Sequence, residues 1–221
     1  MAKTSVPEAP SLRERKKFQT ALRLWRTAIE LFVERGFDQV SVAEIAAAAD
    51  VSKMTVFNYF PSKEDLVMRP MEEHADEPAR VVRARADGQS ALDAIRTHYL
   101  AALERHDPAT GLSDDESVVK VVRLIFATPA LTVRALAMAA RADELLAAEL
   151  AAQCPGQDPL LARIAAAQLL GVRQALVRTN QQRMLAGEPI AAVLPEARED
   201  AVRAFAFAEQ GLGGYCSGPA A

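Results

Sequence analysis

A chain of 221 residues, half of them hydrophobic and 5% aromatic, is long enough for one large or two modest cores if helices stack. Alanine dominates and no alternating β-branched run stands out, so the composition argues against a sheet protein and for an all-α fold. The formal net charge of −3 speaks globally against a nucleic-acid partner, but the charge is unevenly spread.

Residues 1–66 carry ten Lys/Arg against nine Asp/Glu and the remainder sixteen against twenty, giving +1 and −4. Within the first part, Arg13, Arg15, Lys16, Lys17, Arg23 and Arg26 face only Glu14, and local charge governs DNA contact. Residues 1–11, with Pro7 and Pro10, read as a disordered leader. The basic arm Arg13, Arg15, Lys16, Lys17 then leads into a first helix that stops at Gly36. Two readings of the arm stand side by side, a solvated leader and a contact to phosphate or minor groove. On that helix Ala21, Leu24, Ala28, Leu31 and Phe32 share a face, which Trp25 and Ile29 widen, and it completes a three-helix bundle.

The stretch from Ser41 to Leu66 organises the rest. Ser41 with Glu44 forms a capping box, and Val42, Ile45, Ala46 and Ala49 recur at helical spacing. Asp50 breaks the pattern in a tight turn and Ser52 caps a second helix, Lys53 to Tyr59. Val56 and Phe60 belong to its inner side, and Lys53, Met54, Phe57 and Asn58 to its outer side. Pro61-Ser62 ends it, and Ser62 with Asp65 opens the next. The arrangement is a helix-turn-helix, in which the first helix braces a second whose exposed face enters a major groove. Lys53 suits guanine or phosphate, Asn58 suits adenine, and Met54 and Phe57 suit thymine methyls. For Phe57 a place in the core is the competing reading. Thr55 and Tyr59 suit phosphate oxygens, and Ser41 and Lys63 stand at helix N-termini that favour an anion.

These residues resemble the TetR family of bacterial transcriptional regulators. The likeness runs from Ala28-Ile29-Glu30-Leu31-Phe32 through Glu34-Arg35-Gly36-Phe37 to Tyr59-Phe60 and Ser62-Lys63-Glu64-Asp65-Leu66. One position departs: the turn usually carries glycine where this chain has Asp50, a residue that tolerates the left-handed conformation better than most. The resemblance implies that the matching positions Ser41, Lys53, Met54, Thr55, Phe57, Asn58, Tyr59 and Lys63 contact DNA. It also implies a small-molecule pocket among the later helices.

Past Leu66 a fourth helix is expected to about His74, then a charged linker from 76 to 88. Helices follow over 90–105, 116–127, 129–153, 159–186 and 195–210, giving about nine in all. The expected division is a helix-turn-helix domain at 12–66, an effector-binding and dimerisation domain at 67–210 and a flexible tail at 211–221. The last two helices are long, adjacent and rich in Ala and Leu, which suits a homodimer. Two-fold symmetry would then set recognition helices about 34–36 Å apart on a palindromic double-stranded operator.

For the pocket implied by the resemblance, Tyr99, Leu103, Val122, Phe126 and Leu136 are apolar candidates. His98, Arg141, Gln168, Arg173 and Asn180 are the polar ones. Core filling and solvated faces are the competing roles. The three histidines show no i, i+4 metal spacing, and there is no phosphate loop or nucleophile motif. No cofactor, metal or catalysis is therefore expected. Cys154 and Cys216 match no metal or redox spacing and read as reduced thiols. No signal peptide and no membrane span is evident, so a cytoplasmic location is expected. The reading is a repressor released from its operator by a small-molecule effector. An activator or ligand-independent regulator of the same fold, and a helical carrier or enzyme, are the alternatives.

Overall fold

Four serines set the start of four helices. In the computed structural model, which describes residues 11–212, Ser11 caps α1 (Leu12–Arg35) and Ser41 caps α2 (Val42–Ala48). Ser52 caps α3 (Lys53–Tyr59), and Ser62 exchanges bonds with Asp65 at the head of α4 (Asp65–Glu72). The boxes at Ser11/Glu14 and Ser41/Glu44 are reciprocal, each glutamate reaching back to the cap backbone. Glu44 is held at a pKa of about 2, chiefly by the Ser41 backbone N–H, then by the Ser41 hydroxyl and the Arg35 guanidinium.

The turn between α2 and α3 is a left-handed one. Asp50 has φ +52, with its N–H on Ala47 O at 3.2 Å and the Val51 N–H on Ala46 O at 2.9 Å. That is a Schellman ending, with aspartate in the position glycine commonly takes. Leu24, Ala28, Ile29 and Phe32 of α1 join Ile45, Ala46, Val56, Phe60 and Leu66 in the core of this unit. Phe32 and Phe37 stack tilted at 4.9 Å.

The chain divides into compact units between Arg69 and Pro70, within α4 rather than after Leu66. The second unit holds α5 (Glu77–Arg83), α6 (Ala91–Glu104), a 3-10 turn (Pro108–Thr110) and α7 (Glu116–Ala127). It continues with α8 (Pro129–Gln153), α9 (Pro159–Leu185) and α10 (Ile190–Leu212). The described residues thus form ten α-helices and no strand, one helix more than expected. The addition is α5, inside the segment read as a linker. Pro78 lies in its first turn, where no donor is lost, and Pro78, Ala79 and Val82 are buried. Its two turns are too short to display a period. The last helix also begins before Pro195, at Ile190, where the Ala192 and Val193 N–H groups bond Pro189 O.

Leu92, Ile95, Tyr99 and Leu103 of α6 pack with Leu146 and Leu150 of α8, Leu169 and Leu176 of α9 and Phe205 of α10. α9 is, against expectation, long and apolar enough by length and composition to cross a membrane. It carries Arg163, Arg173, Arg178 and Arg183, and it packs against both α8 and α10. Cys154 is disulfide-bonded, not the reduced thiol expected, and Cys216 lies outside the described residues. Residues 1–10 of the leader expected at 1–11, and the end of the expected tail, 213–221, also lie outside them, while Ser11 caps α1.

Candidate nucleic-acid interface and effector cavity

α3 is seven residues long and spends a single one, Val56, on being fully buried. Lys53, Met54, Phe57 and Asn58 fall at i, i+1, i+4 and i+5, and all four are exposed. Met54 is 68% exposed and Phe57 36%, so Phe57 belongs to the surface, not the core. The Lys53 ammonium lies 5.7 Å from the Phe57 ring centroid, which holds a cation and an aromatic edge together on the outer face. Thr55 is half-buried, its hydroxyl 2.8 Å from that of Ser52. Tyr59 is half-buried, and its carbonyl accepts from Arg69 Nη1 at 2.5 Å.

Two residues expected at phosphates are engaged within the chain. The Ser41 hydroxyl lies 2.7 Å from Glu44 Oε2 and accepts from the Glu44 N–H at 3.2 Å, so the cap uses both its capacities. Lys63 Nζ donates to Phe37 O at 2.9 Å and Val40 O at 3.3 Å and sits 4.3 Å from the Phe37 ring centroid. These bonds tie the start of α4 to the α1–α2 connection, more than twenty residues away. Lys63→Ala is therefore expected to lower the stability of the N-terminal unit by about 1–3 kcal/mol, since two carbonyls lose a charged donor. A denaturant melt measures this. A phosphate role would instead show as unchanged stability and a salt slope of DNA binding reduced by about 1.

The basic residues Arg13, Arg15, Lys16 and Lys17 are all exposed and lie within α1, so the arm is helical from Leu12 onward.

In the second unit, His98 and Tyr99 of α6 and Arg173 of α9 meet around one small cavity of about 10 Å³, completed by Pro78, Val81 and Ile95. Glu77, at the start of α5, accepts from Arg173 Nη2 at 2.5 Å and lies 3.1 Å from His98 Nε2. Burial alone would raise the Glu77 carboxyl. The Arg173 guanidinium and His98 outweigh it and hold the group below its ordinary value. Tyr99 is buried, and that desolvation pushes its phenol upward. Its hydroxyl donates to Thr110 O at 3.3 Å, while Asn180 Nδ2 donates to the Tyr99 hydroxyl at 3.3 Å and to Thr110 O at 2.9 Å.

The other expected ligand residues are not gathered there. Val122 lines a separate small cavity of about 10 Å³ with Gly111, Val118, Gln181 and Met184. Leu103 is fully buried in the core. Phe126 is 53% and Leu136 54% exposed. Arg141 is exposed and pairs with Glu144 at 3.2 Å, and Gln168 is exposed on α9. Glu77 was not anticipated, because the segment around it read as a linker. The glutamate directly before a proline was its one local mark.

Caps, a left-handed turn and a short helix with an unburied outer face compose a helix-turn-helix head, and the class is that of DNA-binding regulators. The model of the family described as bacterial regulatory proteins, tetR family, matches residues 24–69. TcmR of Streptomyces glaucescens, an HTH-type transcriptional regulator, is 31% identical over 150 residues. That is 67% of this chain and 66% of TcmR, just under two thirds of the relative's length. The transcriptional regulator MftR of Mycobacterium tuberculosis is 30% identical over 148 residues, 65% of this chain and 70% of MftR. Among solved structures, native NalD, the secondary repressor of the MexAB-OprM multidrug efflux pump in Pseudomonas aeruginosa, shares the fold. It has a TM-score of 0.56 at 20% identity, over 85% of this chain and 97% of NalD. The chain belongs to the TetR family.

Proposed function

We propose that the chain is a homodimeric repressor. It occupies a palindromic operator through two copies of α3 and leaves it when a small molecule binds in the second unit. The observation that carries this reading is the outer face of α3, where Lys53, Met54, Phe57 and Asn58 are exposed together on a helix braced by α2. Such a face offers bidentate, charged and methyl-seeking groups at once, which is what reading base edges requires.

Dimerisation is supported by apolar side chains that α9 and α10 leave uncovered. Leu160, Leu161 and Ile164 are 55%, 46% and 42% exposed, and Val202 is 50% exposed. The effector is placed beside Tyr99 and Arg173, at a cavity of about 10 Å³ that has to widen to admit it. A coupling of roughly 1–3 kcal/mol between that site and the operator gives a several-fold to hundredfold change in affinity, sufficient for a switch. The protein acts by binding, carries out no catalysis and works in the cytoplasm, where its operator is.

A footprint on the DNA upstream of the protein's own gene tests the reading. A protected palindrome is expected, and Asn58→Ala is expected to cost about 1–3 kcal/mol at one base position per half-site. Sequence-blind, salt-sensitive binding alone would mark a carrier with a DNA-like motif. An unaltered base preference in the variant would take Asn58 out of the readout.

A further inference from the structure

The second unit carries a covalent bond where reduced thiols are expected. Cys154 ends α8 and is disulfide-bonded, and the only other cysteine in the chain is Cys216. The bridge therefore joins positions 154 and 216 and closes a loop that contains all of α9 and α10. Cys154 is half-buried, and Pro155, Gly156, Gln157 and Asp158 after it are exposed, which leaves the turn open to a small solute.

The turn of α8 that ends at Cys154 also holds α5. Glu149 Oε2 accepts from Arg83 Nε at 2.8 Å, and Gln153 Oε1 accepts from Arg85 Nη1. Gln153 Nε2 donates to Glu149 Oε1 at 2.7 Å, so the two side chains hold one another in place. Arg83 closes α5, and Arg85 stands just beyond it. The Cys154 N–H, on Leu150 O at 3.2 Å, is the C-cap bond of this turn. A helix frays most easily at such an end, where the last carbonyls have no partner further along the helix. A crosslink at Cys154 suppresses that fraying right beside Gln153, on which α5 depends.

A permanent bridge is out of keeping with a protein that works on DNA. Where glutathione and thioredoxin keep thiols reduced, disulfides are rare, and those that form are mostly transient. We propose that Cys154 and Cys216 are a redox clasp, closed by oxidants and opened by thiols, whose state sets how firmly α8 holds α5. The inference rests on the proposed function in one respect, that the protein shares the cytoplasm with its operator. Closure balances with a low-molecular-weight disulfide as the oxidant. One protein thiolate attacks it, forms a mixed disulfide and expels a small thiolate. The second protein thiolate then attacks the protein sulfur of that mixed disulfide and expels the other. Two protein thiols are oxidised, one small disulfide is reduced, and the two protons end on the small thiols; opening is the reverse. Because α5 follows α4, the helix in which the two units divide, the state of the clasp reaches the segment leading from the DNA-binding unit.

The full-length protein, equilibrated with excess reduced or excess oxidised glutathione and free of DNA, gives the test. Non-reducing peptide mapping is expected to find the 154–216 bridge in the oxidised sample and two free thiols in the reduced one. The thermal midpoint of the reduced form is expected to be roughly 5–15 °C lower, since the crosslink constrains a long loop of the unfolded chain. Amide exchange in α5 is expected to be about fivefold faster in the reduced form, a larger factor than in α6. A plain brace would speed both helices alike. Cys154→Ser and Cys216→Ser are each expected to behave as the reduced protein in either buffer. Circular dichroism identifies a variant that fails to fold, in which case the other, with wild type in the two buffers, carries the test.

A bridge that resists reduced glutathione in the folded protein would overturn the inference. So would a covalent dimer in place of the internal bridge, equal exchange of α5 in the two forms, or a Cys216→Ser variant still protected by oxidised glutathione. The two forms are then footprinted on the DNA upstream of the protein's own gene, where affinities about tenfold apart are expected. Identical footprints would sink the clasp as a regulator. No footprint in either form sinks the operator reading and leaves the exchange result standing.

Discussion

Ile164→Asp is expected to convert the protein to a monomer and to weaken its operator binding by a hundredfold or more. Ile164 is 42% exposed on α9, one turn from Leu160 at 55%, and Ala167, Gly171 and Ala175 continue the same exposed side of the helix. Val202 of α10 adds apolar surface at 50% exposure. Gly171 is a mid-helix glycine at which an added Cβ would meet nothing within 4 Å in its own chain. Glycine there costs about 1 kcal/mol in helix propensity, a cost that close approach of a second α9 in the proposed dimer would offset. A carboxylate at position 164 would have to lose its hydration on association, at several kcal/mol per protomer. Two linked half-site contacts gain roughly 10²–10⁴ in avidity over one, and that factor is what the monomer forfeits. Light scattering after size exclusion, paired with operator anisotropy, gives both readings. A dimer of unchanged mass with undiminished operator affinity would place the interface elsewhere.

Gly111→Ala is expected to be the most damaging single methyl in the second unit. Gly111 ends the 3-10 turn at φ +77, and a Cβ built on it lies 2.3 Å from the Val177 carbonyl oxygen and 3.1 Å from Gln181 Cγ. The first neighbour is α9 backbone, so the turn or the helix must move. The turn is not idle, because the Thr110 carbonyl next door receives Tyr99 and Asn180. Left-handed alanine costs about 1 kcal/mol and an overpacked contact about 1–3 more, so a loss of roughly 2–4 kcal/mol follows. For a unit of this size that lowers the midpoint by about 5–15 °C. A thermal melt at wild-type temperature would mean that the turn has room the structure does not show.

The N-terminal unit was legible because its signals are local. Ser41 with Glu44, Ser52 and Pro61 fix α2 and α3 within a few residues of chain, and α3 begins and ends where those residues put it. What escaped is long-range. Lys63 carries the chemistry of a phosphate ligand, and only the fold reveals that the Phe37 and Val40 carbonyls already engage it. Similarly, His98 and Arg173 stood out as polar marks on apolar helices, and Tyr99 as an apolar candidate. Arg141 and Gln168 bore the same polar mark, and Phe126 the same apolar one, yet they lie elsewhere, since helical periodicity does not say which faces meet. Glu77 went unseen because two helical turns behind a proline show no period.

The leading turns of α1 have a further consequence. From Ser11 to Gln19 every residue is exposed, and Arg13 stands three and four positions before Lys16 and Lys17. Cations so spaced repel one another along a helix and loosen it, while the Ser11/Glu14 box is left to hold its end. A polyanion running beside this segment would quench that repulsion. Winding of the first turns is thus coupled to counterions, and a strand of phosphates in place of the surrounding salt would tighten the segment.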